Sequence, residues 1–425
     1  MLALVLFLLT YMALLVFSKY RAWIALGSAI LFVILGILPA SKVFGAVDWN
    51  VIMMIAGTMG TVYFFIQSKM PALLADHIID RMPNVQWVII ALALFSGIIS
   101  AFVDNVATVL MVAPIALVVS NSLKISPVPA IVAISISSNL QGAATLVGDT
   151  TAILLGKQAG MNFADFFWYQ GKPGLFFIVQ IGAVFSAIIL MVIFRKYKQK
   201  VAMQEKTVVQ DYFPTMMLIG TIVLLILASF IDADSKPAIT NGLICMGVML
   251  IGLIREVIRS DKPSQTIKCI LKEIDVFTLL LLTSLFIVIA GITEAGVVNE
   301  IGRIFANISN GNGFIAYTLI VWASVILSAF IDNIPYVATM LPVTAVIASH
   351  LGISPTVLYF GLLIGATLGG NLTPIGASAN IAGIGILRKN GNNVKIWDFM
   401  KISFPFTLTA VASGYVMIWL FWGRG

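Results

Sequence analysis

Charged residues, histidines and cysteines are all scarce in this chain. Of its 425 residues, 18 are acidic and 25 basic, so only 10% are charged, and there are two histidines and two cysteines. Cys245 and Cys269 are too few and too far apart for a disulfide framework or a metal site. The length alone would suggest roughly two to four soluble domains, but the low charge argues against a soluble protein.

Long apolar runs take the place of the missing charge. Hydrophobic residues make up 60% of the chain, and several nearly uncharged runs are about 18–22 residues long, which suits a helix that crosses a bilayer. These runs are residues 22–40, 174–194, 212–231, 237–254 and 402–422. They are apolar on every side, whereas polar and apolar residues would alternate along the strands of a closed barrel. The sequence therefore predicts an all-α polytopic membrane protein, with residues 1–20 retained as a first span.

The net charge of +7 raises the question of a nucleic-acid partner. The basic residues lie in short segments between the apolar runs, which indicates membrane topology rather than a nucleic-acid surface. The segments assigned to one side hold 19 of the 25 lysines and arginines, and six remain for the other side. These segments are 18–22, 67–87, 121–127, 195–210, 255–273 and 388–401. Such an excess marks the cytoplasmic side. We therefore expect no nucleic acid, and an integral protein of a prokaryotic-type cytoplasmic (inner) membrane with both termini extracytoplasmic.

Two pairs of segments match at one fixed offset. "SAFVDNVATVLMVAP" at 100–114 aligns without gaps with "SAFIDNIPYVATMLP" at 328–342, which lies 228 residues later. The same offset places "LQGAATLVG" at 140–148 on "LGGNLTPIG" at 368–376. Because chance rarely produces two polar matches at one offset, the chain is predicted to be a tandem duplication.

The duplication predicts two halves, residues 1–200 and 211–425, joined by a cytoplasmic linker at 201–210. For the charge bias to hold, residues 88–120 must enter and leave on the cytoplasmic side, and residues 313–349 on the other side. Each of these segments is therefore predicted to be a re-entrant hairpin whose two short helices meet at the Asp-Asn pair. The second half then enters the membrane from the side opposite to the first, which is the inverted-topology repeat typical of secondary transporters.

The full prediction contains ten transmembrane helices, two re-entrant hairpins and two broken helices. The broken helices, 128–158 and 355–388, contain glycines, and the second also contains Pro374, which disfavours a continuous helix. Scaffold helices are expected at 1–66 and 211–292, and closing helices at 174–195 and 402–422. A competing arrangement makes every hairpin arm a full span, which gives fourteen spans.

Polar residues collect at the hairpin turns and at the helix breaks. Unwound backbone persists inside a membrane only where it lines a cavity or binds a ligand, and its carbonyls and half-helix N-termini suit a cation and an anion respectively. The candidate substrate- or ion-binding residues are Asp104, Asn105, Thr108, Ser138, Asn139, Thr145, Gly148, Asp149, Thr150, Thr151, Asp332, Asn333, Asn371, Thr373, Gly376, Ser378 and Asn380. Sodium, if it is used, is expected at Asp104, Asn105, Gly148, Asp149, Asp332, Asn333 and Gly376.

The aspartates of this set have two interpretations. Each could cap the helix that follows it, or each could bind Na⁺ or H⁺, since a carboxylate inside a membrane costs about 3 kcal/mol or more. We favour binding for Asp104, Asp149 and Asp332, because the turn and break motifs contain no lysine or arginine, and we expect no basic side chain to reach these aspartates. Asp48 and Asp275, which the repeat also relates, need only cap the third span of each half.

These motifs resemble the ion-transporter superfamily, which contains arsenite-efflux permeases, the pink-eyed-dilution (P) protein, NhaD-type antiporters and, more distantly, divalent-anion/sodium symporters and citrate transporters. The resemblance covers essentially the whole chain and is closest to the P-protein and arsenite-permease branch, for which "DNIP" and "GASANI" are fairly specific. It implies ions and substrate held by the hairpin tips and the neighbouring unwound loops. It also implies a homodimer in which a transport domain slides past a scaffold in an elevator motion.

The expected function is secondary active transport that couples Na⁺ or H⁺ to movement of a small anion, either an inorganic oxyanion or a carboxylate. A Na⁺/H⁺ antiporter is the first alternative, because carboxylates can alternate between the two cations. Arsenite efflux is the second, since neutral arsenite suits a site without fixed positive charge, and a passive channel is the last. We expect no enzyme, because the core lacks a nucleophile–base pair, and no cofactor beyond the coupling ion.

Overall fold

The computed structural model describes residues 2–200, 207–231 and 235–423. These residues are almost entirely helical, apart from a short antiparallel strand pair, β1 (Trp168–Tyr169) and β2 (Lys172–Pro173). The first ten helices are α1 (Leu2–Val16), α2 (Arg21–Ile34), α3 (Ala40–Ala46), α4 (Trp49–Gln67), α5 (Met70–Ile79), α6 (Val85–Ser100), α7 (Asn105–Ser122), α8 (Val128–Gly142), α9 (Thr150–Ala159) and α10 (Leu175–Ile193). The next ten are α11 (Phe213–Ser229), α12 (Thr240–Arg259), α13 (Pro263–Glu273), α14 (Val276–Glu294), α15 (Val297–Ile308), α16 (Gly313–Ser328), α17 (Asn333–Leu351), α18 (Pro355–Gly369), α19 (Ser378–Lys389) and α20 (Ile396–Trp422).

The helices of the second half follow the order of the first. From α4 to α9, each helix begins 227 or 228 residues before its counterpart, as Trp49 does before Val276 and Asn105 before Asn333. Each half contains a helix pair around an Asp-Asn turn, then an interrupted helix, then a long closing helix. The backbone therefore repeats at nearly the same offset as the sequence motifs.

Helices from the two halves pack across each other. α2 lies on α14 and α12 lies on α4, while α10 packs against α20. Within each half, the first arm of the helix pair packs on the interrupted helix, so that α6 contacts α8 and α16 contacts α18. The interrupted helices lie deepest, and 89% of residues 355–372 are buried inside the protein. The helices around them expose large apolar side chains such as Ile34, Met216 and Ile258, which suit contact with lipid.

The turns and breaks fall where the polar motifs lie. α6 ends at Ser100 and α7 begins at Asn105, and the related pair α16 and α17 turns at the equivalent positions. α8 stops at Gly142 and the chain becomes helical again at Thr150. In the second half α18 passes through a 3₁₀ turn at Gly370–Leu372 before α19 begins. The four polar segments therefore all lack continuous helix, which leaves their backbone groups free for other partners.

Some helix ends differ from the apolar runs. The run 22–40 contains a helix that ends at Ile34, because Gly36 has a left-handed φ of +68° and Pro39 follows. The short amphipathic helix α13 occupies part of the basic segment 255–273, which the charge count treats as a loop. Short turns and amphipathic helices of this kind escape a search for long apolar runs, since their apolar faces are narrow.

The number of membrane-crossing helices is not the same by every measure. Within the described residues, eight helices are long and apolar enough to span a bilayer, or nine if the pair α15 and α16, which bends by 115°, makes one span. The eight include α7 and α17, the second arms of the predicted hairpins, whereas α1, α2 and α11 are shorter than 18 residues. The count of ten spans and two re-entrant hairpins therefore stays a prediction.

Close packing of α4 on α12 depends on Gly57. A Cβ atom added there would lie 2.6 Å from the backbone nitrogen of Met246, whereas a Cβ at Gly247 on the same helix pair would meet nothing within 4 Å. We expect Gly57→Ala to destabilise the protein by about 1–3 kcal/mol through overpacking, and Gly247→Ala to be neutral or stabilising. Thermal unfolding of both variants in detergent measures the difference, and equal midpoints would refute the packing explanation.

Candidate functional site

A cavity of about 420 Å³ lies where the two helix-pair turns meet the two helix breaks. From the predicted set, the side chains that line it are Asp104, Asn105, Asp149, Thr150, Asn333 and Ser378. The opposite wall is formed by α4 and by the junction of α13 with α14, and its polar members are Tyr63, Gln67, Glu273, Asp275 and Thr278. Of the described residues that line it, four are acidic and none is basic, so the cavity attracts cations.

A larger cavity of about 700 Å³ lies beside it, between α4, α12 and α13. Its charges are of both signs, and at its edge Arg255 and Arg259 form ion pairs with Asp211, at 2.7 and 3.2 Å. The hydrogen-bonded Arg255 guanidinium holds the pKa of the Asp211 carboxyl below its usual value. This cavity contains none of the predicted site residues, so the smaller one is the candidate site.

Asp149 lies at the break that precedes α9 and is only 3% exposed. It occupies the N-cap position, but its side chain makes no capping hydrogen bond. Instead its Oδ2 accepts hydrogen bonds from the Thr151 hydroxyl at 2.9 Å and from the Asn333 amide of the other half at 3.2 Å. Both partners are neutral, so the carboxylate is held in place without being neutralised. The capping interpretation therefore does not account for Asp149.

Asp104 and Asp332 both cap the helix that follows them. Asp104 Oδ2 accepts from the backbone N–H groups of Val106 and Ala107 at 3.0 and 3.1 Å, and Asp332 Oδ1 accepts from that of Ile334 at 3.2 Å. Capping and cation binding do not exclude each other, since a carboxylate has about four acceptor positions. Cation binding at these two residues stays a prediction.

The expectation that no basic side chain reaches the aspartates is wrong for Asp332. The guanidinium of Arg21, at the start of α2, lies 2.6 Å from Asp332 Oδ2. The Ser378 hydroxyl donates to the same oxygen at 3.0 Å. Arg21 was assigned to a short cytoplasmic segment, and only the packing of α1 and α2 against the second half brings it to the turn.

A chain of buried amides joins the two breaks. Asn105 donates to Asn139 Oδ1 at 2.9 Å, and the Asn139 amide donates to Asn371 Oδ1 at 2.7 Å and to Asn380 Oδ1 at 3.1 Å. Asn371 in turn donates to the carbonyl of Ile136 at 3.0 Å. All four asparagines are at most 5% exposed. The network therefore satisfies polar groups that helices would otherwise satisfy, and it links the first half to the second.

Two glycines let the turns approach the breaks. A Cβ on Gly148 would lie 2.6–2.9 Å from the carbonyl oxygens of Gly142, Ser100 and Ala101. A Cβ on Gly376 would lie equally close to the repeat-related carbonyls of Gly370, Ser328 and Ala329. Only glycine fits at either position, because three backbone carbonyl oxygens occupy the space that a side chain would need.

Hydroxyl groups complete the contacts between turn and break. The hydroxyls of Thr145 and Thr373 donate to the turn carbonyls of Ala101 and Ala329, at repeat-related positions. Further hydroxyl contacts are those of Ser138 with the carbonyl of Asn105 at 3.0 Å, Thr108 with that of Val103 at 3.4 Å, and Thr151 with the Thr367 hydroxyl at 3.2 Å. Each break is therefore bound to its own turn, and the two breaks are bound to each other.

The structure gathers all the predicted site residues in one region. Six line the cavity, and behind them lie Thr108, Ser138, Asn139, Thr145, Gly148, Thr151, Asp332, Asn371, Thr373, Gly376 and Asn380. Their roles in ion or substrate binding stay predictions. In the described part of the chain, no three His, Cys, Asp or Glu side chains lie close enough together to hold a metal ion by themselves. A cation here would need amide, hydroxyl or carbonyl ligands as well.

Several residues of the site are missing from the predicted set. Asp275 caps α14 as predicted, through the backbone N–H of Thr278 at 3.0 Å, and it also lines the cavity. Glu273 lies in a basic segment, and Gln67 ends an apolar helix, so neither position has a local signal. Arg21 was visible only as one of the residues that set topology. Tertiary packing alone places these four side chains.

Comparison with known proteins identifies relatives of this chain. The sequence profile of the citrate transporter family matches residues 5–365 and, in an overlapping second match, residues 235–424. An uncharacterized transporter of Mycobacterium tuberculosis is 29% identical over 409 residues, which are 94% of this chain and 93% of that protein. The human P protein is 24% identical over 414 residues, which are 77% of this chain and 48% of that protein. The resemblance to the P-protein branch is therefore confirmed.

Two solved structures share the fold. The YdaH transporter of Alcanivorax borkumensis matches with a TM-score of 0.60 and 14% identity, over 96% of this chain and 98% of that chain. Neisseria gonorrhoeae MtrF, described as one of a class of antimetabolite efflux pumps, matches with a TM-score of 0.58 and 14% identity, over 90% of this chain and 83% of that one. At such low identity the likeness shows the fold alone.

Asn139 offers a direct test of the amide chain. Asn139→Ala would leave Asn105 without an acceptor and Asn371 and Asn380 without a donor, and we expect a loss of about 2–4 kcal/mol in the free energy of unfolding. Ser137→Ala is the matched control, because Ser137 is buried on the same helix and lines a different, small cavity. Chemical unfolding in detergent compares the two, and equal stability would show that the hydrogen bonds of Asn139 do not stabilise the fold.

Proposed function

The chain belongs to the citrate transporter family and is a membrane transporter, and from that premise we propose secondary active transport that couples Na⁺ or H⁺ to a small anion. The anion is an inorganic oxyanion or a carboxylate. The observation that carries the proposal is the charge of the cavity, which is lined by Asp104, Asp149, Glu273 and Asp275 and by no lysine or arginine. An anion can enter such a cavity only after cations have neutralised part of its charge.

The cation binds at the first turn and the first break. Asp149 is buried and has only neutral partners, and Asp104 lines the same cavity without an ion pair to any described lysine or arginine. A buried carboxylate without a counter-ion is costly, so Na⁺ or a proton there lowers the free energy of the site. The side-chain oxygens of Asn105, Thr150 and Asn333, which line the same cavity, supply further ligands.

The anion binds at the N-terminus of α19. No side chain caps this helix, and its N-cap residue, Ala377, brings no negative charge to the position where the first half has Asp149. Its first turn therefore presents free N–H groups and the positive end of the helix dipole, and Ser378 of that turn lines the cavity. Cation and anion would lie on opposite sides of one cavity, where each lowers the cost of binding the other.

Access to the cavity alternates by an elevator motion of an inverted repeat. The cavity separates two groups of helices, since its lining comes from the turns and breaks on one side and from α4, α13 and α14 on the other. Sliding of the first group past the second would expose the site on either side of the membrane. The resemblance adds a homodimer, and the charge bias adds extracytoplasmic termini in a cytoplasmic membrane. Four acidic lining residues also support a second candidate, Na⁺/H⁺ antiport without an anion.

The coupling is tested by Asp149→Asn in proteoliposomes with labelled citrate or phosphate as the probe and an imposed Na⁺ or proton gradient. We expect the wild-type protein to accumulate one of these anions only with a gradient. The variant should lose at least about tenfold of the gradient-driven uptake, because the amide cannot bind the coupling cation, and tenfold corresponds to about 1.4 kcal/mol of lost stabilisation. Asp398→Asn is the control, since Asp398 is exposed at the start of α20.

The same vesicles separate the two candidates. Antiport predicts that added Na⁺ releases protons with no anion present, whereas symport predicts no ion flux until the anion is added. Uptake that is independent of any gradient in the wild-type protein would rule out both and indicate a passive channel.

A further inference from the structure

We propose that Arg21 is a tethered cation that permanently neutralises the second turn, so that a mobile coupling cation binds only at the first. This inference rests on the proposed cation coupling and deepens it, because it limits how many ions the transporter binds. Two repeat-related turns would otherwise suggest two equivalent cation sites. Arg21 makes them unequal.

The two turns differ in sequence only at Val103 and Ile331, but the charges around them are different. Asp104 accepts hydrogen bonds from two backbone N–H groups and forms no ion pair with a described lysine or arginine. Asp332 receives one backbone N–H group and the Ser378 hydroxyl, and it has the Arg21 guanidinium at 2.6 Å. Its side chain is only 5% exposed, so the ion pair is shielded from water and the arginine compensates the charge directly.

The breaks increase the difference. The first break adds a second carboxylate, Asp149, whereas the related position in the second break is Ala377. With both carboxylates ionised, the first turn and break carry a formal charge of −2, and the second turn with Arg21 carries none. A mobile cation therefore gains free energy at the first turn and has no carboxylate left to neutralise at the second.

Arg21 is held in place by the helices that carry it. It is the first residue of α2, which packs on α14, and the neighbouring α1 contacts α17 through the hydroxyl of Tyr11. That hydroxyl donates to the carbonyl of Pro335 at 2.7 Å and bonds to Thr339, within two turns of Asp332. In the order of the second half α12 corresponds to α2, and its arginines, Arg255 and Arg259, pair with Asp211 instead. Among the residues that the structure describes, an arginine therefore reaches Asp332 but none pairs with Asp104.

Arg21 is a counter-ion rather than an anchor for the transported anion. It does not occur among the described residues that line the cavity, while Asp332 lies between it and the Ser378 side chain. Its charge is engaged by the carboxylate at hydrogen-bond distance, and its side chain is 18% exposed. It acts through Asp332 and is therefore a positioning residue for the second turn.

The test compares purified wild-type protein with Arg21→Gln, Arg21→Lys and the double variant Arg21→Gln/Asp332→Asn. Thermal unfolding is followed at about pH 8, where an accessible carboxyl is ionised, in choline chloride, sodium chloride and low concentrations of guanidinium chloride at equal ionic strength. Arg303→Gln is the control, because Arg303 pairs with Glu300 on the surface.

We expect Arg21→Gln to unfold at a lower temperature in choline and to gain about 2–4 °C more than wild type from sodium or guanidinium, because either ion can take the empty place beside Asp332. The double variant should lose this extra gain, and Arg21→Lys and Arg303→Gln should behave like wild type. If Arg21→Gln cannot be purified while the double variant can, the uncompensated Asp332 is the cause and the proposal is supported.

Equal ion responses in Arg21→Gln and the double variant would overturn the proposal, and so would failure of both variants to fold, since Arg21 would then serve packing alone. The comparison needs no transport measurement. A lack of gradient-driven uptake in the wild-type protein would therefore contradict the proposed function without deciding the role of Arg21.

Discussion

The hydrogen bonds of the Asn139 amide hold the centre of this protein together. Two interrupted helices meet there, and each leaves backbone groups without helical partners in a region that excludes water. Asn139 accepts from Asn105 and donates to Asn371 and Asn380, so one side chain fixes a turn and both breaks relative to each other. The positions of Asp149 and of the cavity follow from this arrangement, because Asn333 reaches Asp149 only when the two halves meet.

Local sequence rules predict where the turns and the breaks lie and which polar residues of these segments come together. Glycine and proline mark where the helices stop, and the fixed offset identifies the polar residues that share a place. The opposite wall follows no such rule. Glu273 lies in a basic segment, and Arg21 lies in the first half of the chain whereas Asp332 lies in the second. Their places at the site come from helix packing between the halves. Asp275 was predicted as a cap, which is correct, but its place in the cavity depends on α14 facing the turns.

The repeat keeps its backbone and varies its charges. Gly148 and Gly376 meet equivalent carbonyls at nearly equal distances, and Thr145 and Thr373 bind equivalent turns. Close backbone approach tolerates no side chain at the glycines, so this part of the repeat cannot vary without loss of packing. Charged positions have no such restriction, and a carboxylate in the first break corresponds to Ala377 in the second. The backbone of the site therefore repeats in the two halves, whereas its charges do not.

The pairing of α2 with α14 and of α4 with α12 has a consequence for biogenesis. When the ribosome has completed the first ten helices, the partners of α2 and α4 have not yet been made. Until then these helices have only minor partners such as α1 and α9, because the surfaces that α2 buries on α14 and α4 buries on α12 match nothing synthesised so far. The interior closes only after the second half has been inserted. A chain that stops early would therefore expose glycine and polar surfaces to the insertion machinery and to quality-control proteases.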